Sequence, residues 1–270
     1  MPYPFDREYM QLALIAGLAM GASAPLIGVF LVQRRLSLMG DGIGHLAFAG
    51  VAAGVLADVW PVWSALLVAV VGALVIELLR GRRLATGDLA VAICFYGGIA
   101  AGVVLAGLNH ALDANLLSYL FGSLLTVDHG DVALVVMVGV VVAIAVAVLG
   151  AALFAVALDE EWSRVAGLPV GALNALLAVL TAVTIVAAMR VVGLLLVSAL
   201  MVVPVAGAQV VARSQRGIVG WAMVIGSGSV VAGLAAARLW GLAPGGTIVL
   251  VAVGVFAALA VATRVPAIPR

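Results

Sequence analysis

The chain alternates long apolar runs with short polar breaks, and the runs carry almost no internal charge. A helix that crosses the hydrocarbon layer of a bilayer needs about 20 predominantly apolar residues. Runs of that kind fall near 11–33, 39–57, 62–79, 88–107, 132–157, 170–189, 193–212, 218–236 and 246–263. The pattern predicts about nine membrane-spanning helices. Eight and ten are the neighbouring counts, because the second run is short and only Arg190 to Val192 part the sixth from the seventh. No stretch has the composition of a linker and no repeat is evident. Residues 1–270 are therefore expected to form one integral-membrane domain, an all-α polytopic helical protein.

Composition strengthens this picture. Of 270 residues, 66% are hydrophobic and 9% charged, more apolar surface than a soluble core can hide. A net charge of +1 offers nothing to nucleic acid. The single cysteine, Cys94, lies in an apolar run, which leaves neither a disulfide framework nor a thiolate metal cluster. Asp6, Arg7 and Glu8 precede the first run where a signal peptide would have a basic segment, so that run is expected to be a retained span. Every basic residue is arginine. With alternating spans, one side receives Arg34, Arg35, Arg80, Arg82, Arg83, Arg164, Arg213, Arg216, Arg264 and Arg270, and the excess of positive charge marks it as cytoplasmic. The other side keeps Arg7, Arg190 and Arg238, the polar loop 109–115 and the interfacial Trp60 and Trp240. The N-terminus is then outside and the C-terminus in the cytoplasm.

One apolar segment carries chemistry. In Met39-Gly40-Asp41-Gly42-Ile43-Gly44-His45 an acid and a histidine stand four apart, which on a helix places both on one face. A carboxylate at membrane depth is costly and is tolerated where it meets the bundle interior, a water path or a cation. Imidazole and carboxylate together suit zinc, manganese or iron. The blander alternative is that Asp41 caps a helix and His45 is an interior histidine with a partner. Other polar features have structural explanations. Pro25 and Pro204 are expected to kink the first and seventh spans, Gly17 and Gly21 form a small-residue packing face, Glu77 pairs with Arg80 one turn on, and Asp88 caps the fourth span. His110 and His129 fall on the outer side, as weak candidates for a metal contact.

The loop Leu158-Asp159-Glu160-Glu161-Trp162-Ser163-Arg164-Val165-Ala166-Gly167-Leu168-Pro169 predicts a short amphipathic helix with acids in its first turn, stopped by Gly167 and Pro169. It is either a docking element or a plain connector.

Three stretches then carry a family resemblance: Arg34 to His45, Ser118-Tyr119-Leu120-Phe121-Gly122-Ser123-Leu124-Leu125, and Val192 to Ala206 with Ser198 and Pro204 inside it. In that order, and with the 158–169 loop between the last two, the chain resembles the permease subunit of bacterial ATP-binding-cassette importers for zinc, manganese or iron, the ZnuB- and MntB-like group. The resemblance covers nearly the whole chain. It departs at Leu46 to Gly50 and at the outer loop around His110, where no pattern matches. It implies the permease fold of the vitamin-B12 and metal importers, in the bacterial cytoplasmic membrane. Asp41 and His45 would line the translocation path. Asp159, Glu160, Glu161, Arg164, Ala166 and Gly167 would belong to the coupling helix that seats on the ATPase, and Pro25, Ser198 and Pro204 to the gating helices. Two copies of the chain would face each other, joined by two ATPase subunits and an extracytoplasmic metal-binding protein. The cargo would be a divalent metal, zinc ahead of manganese and iron, with no covalently bound cofactor and no enzymatic activity of this chain.

The sequence contains no Gly-x-x-x-x-Gly-Lys-Ser/Thr phosphate loop, so the importer reading puts ATP hydrolysis on a separate chain. The alternative is an ion- or proton-coupled secondary metal transporter that uses Asp41 and His45 as its relay. It leaves the 158–169 loop without a task. An intramembrane metalloprotease would need His-Glu-x-x-His, which is absent. The arginine count generates a direct expectation: in a Cys94→Ala background, Tyr3→Cys labels from outside with an impermeant maleimide and Ile268→Cys only after permeabilisation. Labelling of both from one side would mean an even number of spans.

Overall fold

The computed structural model describes residues 5–82, 84–108, 122, 127–189 and 191–264. Among these the chain forms ten helices and no strand: α1 (Glu8–Gln33), α2 (Met39–Leu56), α3 (Pro61–Gly81), α4 (Gly87–Leu108), α5 (His129–Leu158), α6 (Glu160–Val165), α7 (Val170–Ala188), α8 (Leu194–Val211), α9 (Gln215–Trp240) and α10 (Pro244–Arg264). Eight of them are long and apolar enough to cross a membrane. The ninth long helix, α8, has 18 residues with Pro204 inside it, and α6 is a six-residue connector. The nine apolar runs of the sequence thus correspond one to one with the nine long helices.

Small residues set how these helices meet. Lipid is as apolar as leucine, so helices in a bilayer gain little from hiding apolar surface from one another and associate through close packing. Gly42 lies on Val91, Gly98 on the backbone of His45 and Leu46, and Gly102 on the Phe48 ring, which runs α2 and α4 parallel. Gly50 on Ala65 and Gly72 on Leu46 run α3 antiparallel to α2. Gly17 receives Val230, and a side-chain carbon on Gly21 would stand 3.0 Å from the Gly226 backbone, so α1 and α9 cross at the small-residue face expected of Gly17 and Gly21. Gly28 is tighter still, with the carbonyl of Met201 occupying the space a β-carbon would need.

The two ends of the bundle differ in charge. Arg34, Glu77, Arg80 and Glu160 gather at one end, where Gln33 also donates to Gln215 at 2.6 Å. At the other end His129 meets Glu8, and the Arg238 guanidinium lies 5.9 Å from the Tyr9 ring centre.

Two local expectations change. The fourth span is capped by Thr86, whose hydroxyl accepts from the Leu89 amide at 3.4 Å, and Asp88 sits one residue inside the helix. The break between α7 and α8, put on the outer side by the arginine count, is buried at its described residues. Met189, Val191, Val192 and Leu194 are each at most 6% exposed, and Val191 and Val192 lie beside Ala13 and Gly17 of α1 and Leu234 of α9. Irregular backbone inside a membrane protein needs its polar groups paired within the protein. The amides of Val191 and Val192 donate to Ala188 and that of Gly193 to Met189. Gly193 turns the chain at φ 87°, a left-handed value that a β-carbon disfavours.

The packing yields a paired test. Gly28→Ala forces a methyl into the Met201 carbonyl and is expected to cost about 1–3 kcal/mol. Gly97→Ala points into open space and should be neutral or gain up to about 1 kcal/mol in helix propensity. Heating the detergent-solubilised chain and following its monodisperse fraction checks this; equal melting of the two variants would contradict the close α1–α8 contact.

Candidate functional site

Asp41 and His45 lie in the first two turns of α2, four residues apart on one face, and both are half-buried. The flanking positions Gly40, Gly42, Ile43 and Gly44 are buried against neighbouring helices, so the Asp41–His45 face is an open one in the first two turns of α2. The His45 ring stands edge-on to Phe95 of α4, with centroids 4.7 Å apart and planes at 84°. Phe95 thereby limits the imidazole from one side. The capping alternative for Asp41 is not what forms: Leu38 occupies the N-cap of α2, no side chain caps it, and Asp41 lies inside the first turn. An acid there still gains from the positive end of the helix dipole. Among the described residues no third histidine, cysteine or acid joins the pair into a metal cluster. Two donors alone do not fill the coordination shell of a first-row metal.

The first and third of the stretches that carry the resemblance meet beside this face. A β-carbon on Gly40 would stand 3.2 Å from that of Ser198, and Gly44 accepts the Leu194 side chain, so the first turns of α2 and α8 cross directly. Ser198 is buried and donates to the Leu194 carbonyl at 3.2 Å. Gly122, at φ 73°, lies on the backbone of Val192 and Gly193. The other residues of 118–125 lie outside the described residues, as does His110. Pro25 sits buried within α1 beside Gly226, and Pro204 is buried within α8. His129 opens α5 and is 78% exposed, with Nε2 3.3 Å from a Glu8 carboxylate oxygen.

The 158–169 loop folds as read. The Asp159 carboxylate accepts from the Trp162 amide at 2.9 Å to cap α6, and Gly167 ends it at φ 84° before Pro169 starts the next helix. The helix and the turn that follows it divide by face. Glu161, Trp162, Arg164, Val165, Ala166 and Gly167 are exposed, whereas Ser163 is fully buried and Glu160 turns inward. Trp162 and Val165, three apart on α6, are 63% and 89% exposed, and Leu158, the last residue of α5 before extended Asp159, is 68% exposed, so apolar side chains stand outward on a charged connector.

Glu160 enters a charge cluster that sequence reasoning missed. One of its carboxylate oxygens, Oε1, accepts from Arg80 Nη1 at 2.7 Å, Arg34 Nη2 at 3.1 Å and Asn174 Nδ2 at 3.3 Å. Arg80 Nη2 also donates to Glu77 Oε2 at 2.9 Å, and Arg34 Nη2 lies 3.6 Å from Glu77 Oε1. Burial pushes the Glu160 carboxyl up, but the hydrogen bond and charge of Arg80, the charge of Arg34 and the Asn174 amide together carry it below the ordinary carboxylate value. The stabilisation is therefore present above the ordinary glutamate range and is lost as pH falls through the lowered value. The Glu77–Arg80 pair expected on α3 exists, but as one edge of this network. The signal available was the Arg34-Arg35 pair at the end of one span and Glu77 near the end of another; nothing local joins either to residue 160.

Comparison with known proteins agrees with this architecture. The chain is 28% identical over 239 residues to the "High-affinity zinc uptake system membrane protein ZnuB" of Haemophilus influenzae, covering 88% of this chain and 91% of that one. It is also 28% identical over 251 residues to the "Manganese import system permease protein ScaB" of Streptococcus gordonii, covering 93% and 90%. Among solved structures, a chain of "PsaBC from Streptococcus pneumoniae in complex with Fab" superposes with a TM-score of 0.83 at 28% identity, over 94% of this chain and 91% of that chain. Residues 6–263 match the model of the ABC 3 transport family, and the chain belongs to that family.

Proposed function

We propose that this chain is the membrane permease of an ATP-driven importer for a divalent transition metal, with Asp41 and His45 as a transient binding point on the path. The observation that carries the reading is the half-open α2 face bearing both residues at the crossing with α8, within a chain whose relatives carry zinc- and manganese-import names. An ionised Asp41 is costly at membrane depth, and a passing cation offsets that cost directly. Two protein ligands, with waters or a second copy completing the shell, hold an ion loosely enough to release it. A closed four-ligand cage would retain it.

Nitrogen and oxygen donors accept zinc, manganese and iron. Zinc is placed first, because an imidazole in the pair favours the softer ion. The working unit is two copies of this chain, two ATPase subunits seated on the 158–169 helices, and an extracytoplasmic protein that delivers the metal. The arginine-rich end faces the cytoplasm of a bacterial cell. ATP-driven closure of the ATPases would bias the permease between outward- and inward-open states. The outward apolar side chains of Trp162 and Val165 on α6, with Leu158 exposed beside them, favour this over a secondary transporter, which gives them no partner.

Reconstituted with its cognate ATPase and binding protein, the chain should take up zinc, with manganese competing, and uptake should vanish when the ATPase is omitted. Asp41→Asn keeps the shape and removes the charge; it and His45→Ala should each lower uptake at least about tenfold while the complex stays assembled. Uptake without the ATPase would return the reading to the secondary transporter. Wild-type uptake by an assembled Asp41→Asn complex would remove Asp41 from the path.

A further inference from the structure

The 158–169 helix has an outward face for a partner, and its inward face is held by a charge network whose geometry gives that network a task. We propose that Glu160 is a positioning residue that transmits displacement of α6 to the start of α2, through Arg34 and the turn that leads to Asp41, with Arg80 and Glu77 tying the same movement to α3. The role presupposes the importer reading above.

The network joins four elements at one oxygen. Glu160 Oε1 receives donors from the end of α1 (Arg34), the end of α3 (Arg80) and the first turns of α7 (Asn174). The guanidinium of Arg80 forks, one arm to Glu160 and the other, with its Nε at 3.3 Å, to Glu77. Lysine could hold one of these acids but not both in that geometry. The charges balance, two acids against two bases, and the Arg34 and Glu77 side chains are nearly shielded at 5% and 9% exposed, with Arg80 at 19% and Glu160, at the rim, 33%. Pairs removed from water are screened little by salt, so displacing one member costs the others directly.

From Arg34 the path to the candidate metal residues is short and stiff. Arg34 and Arg35 donate their amides to Phe30 and Val32, and Leu36 donates to Leu31, closing a turn with Arg35 at φ 57°. Leu36 is buried and packs on Gly87 at the start of α4, and Met39, buried, begins α2 two residues before Asp41. A shift of α6 therefore pulls on a backbone segment that cannot stretch, and the first turn of α2 lies at its end.

The network also has room to rearrange. Arg34 Nε and Glu77 Oε1 are buried and make no hydrogen bond, and the Arg34–Glu77 separation of 3.6 Å is longer than a charge-assisted bond. A small slide of α1 past α3 would let Arg34 close on Glu77 and loosen its hold on Glu160. Both arrangements keep the charges balanced. Such a pair of alternatives is what a coupling element between two sites requires.

The test uses the full importer, reconstituted with its ATPase and binding protein, reading zinc taken up per ATP hydrolysed and the melting temperature of the complex. Arg80→Lys conserves charge balance and should leave assembly and ATPase turnover near wild type while uptake per ATP falls roughly three- to thirtyfold. Glu160→Gln should lower both stability and coupling. Adding Arg34→Gln to it restores neutrality and should recover the melting temperature but not the coupling. The exposed control Arg82→Gln should change neither. Coupling that returns together with stability in the double variant, or wild-type coupling in Arg80→Lys, would reduce the network to a structural pin and overturn the inference. Failure of all the network variants to assemble would overturn it as well, since the network would then serve folding. A wild-type complex without ATP-driven uptake would instead contradict the importer reading itself.

Discussion

Polar groups inside an apolar bundle must find partners within the protein, and that constraint shapes every part of this structure that is not plain helix. Water is absent at membrane depth, so an unpaired amide or carboxylate costs several kcal/mol, of the order given by transfer to an apolar medium. The buried turn between α7 and α8 meets the constraint with backbone hydrogen bonds back to Ala188 and Met189. The inward half of α6 meets it in part, with Glu160 and Glu77 paired to Arg34 and Arg80 while Arg34 Nε and Glu77 Oε1 make no hydrogen bond. Asp41 meets it only in part, through its place in the first turn of α2 and on an open helix face. On the proposed reading, the transported cation supplies the rest.

Glycine handles the complementary problem of bringing helices close enough to matter. Gly28 admits a carbonyl of α8 into α1, and Gly40 and Gly44 admit Ser198 and Leu194 to the turns that carry Asp41 and His45. The turns that carry Asp41 and His45 therefore pack closely on α8 through Ser198 and Leu194, with the Phe95 ring beside His45. Such contacts slide at low cost, because few side chains must change rotamer as they pass.

Much of this was legible in the sequence because the relevant signals are local. Apolar runs located the nine long helices among the described residues, as the runs beginning at 88 and 170 show against helix starts at Gly87 and Val170. The acids, Gly167 and Pro169 placed α6 correctly, and the Asp41 to His45 spacing put both on one face. What was hidden is tertiary. Arg34 and Arg80 lie 126 and 80 residues from Glu160, and only the packing of α1, α3 and α7 brings them to one oxygen. Two adjacent acids, Glu160 and Glu161, look equivalent in sequence, yet the register of a six-residue helix sends one inward and leaves the other exposed. The burial of the α7–α8 break was hidden for the same reason: its depth depends on what α1 and α9 place around it.

The central claim is that a divalent metal rests between Asp41 and His45 on its way through the membrane. Anomalous diffraction from crystals of the complete importer grown with zinc, collected on both sides of the zinc absorption edge, tests it most directly. The account predicts a peak within coordination distance, about 2.0–2.2 Å, of both the Asp41 carboxylate and the His45 imidazole. An occupied zinc peak elsewhere along the permease, with these two side chains bare, would contradict it.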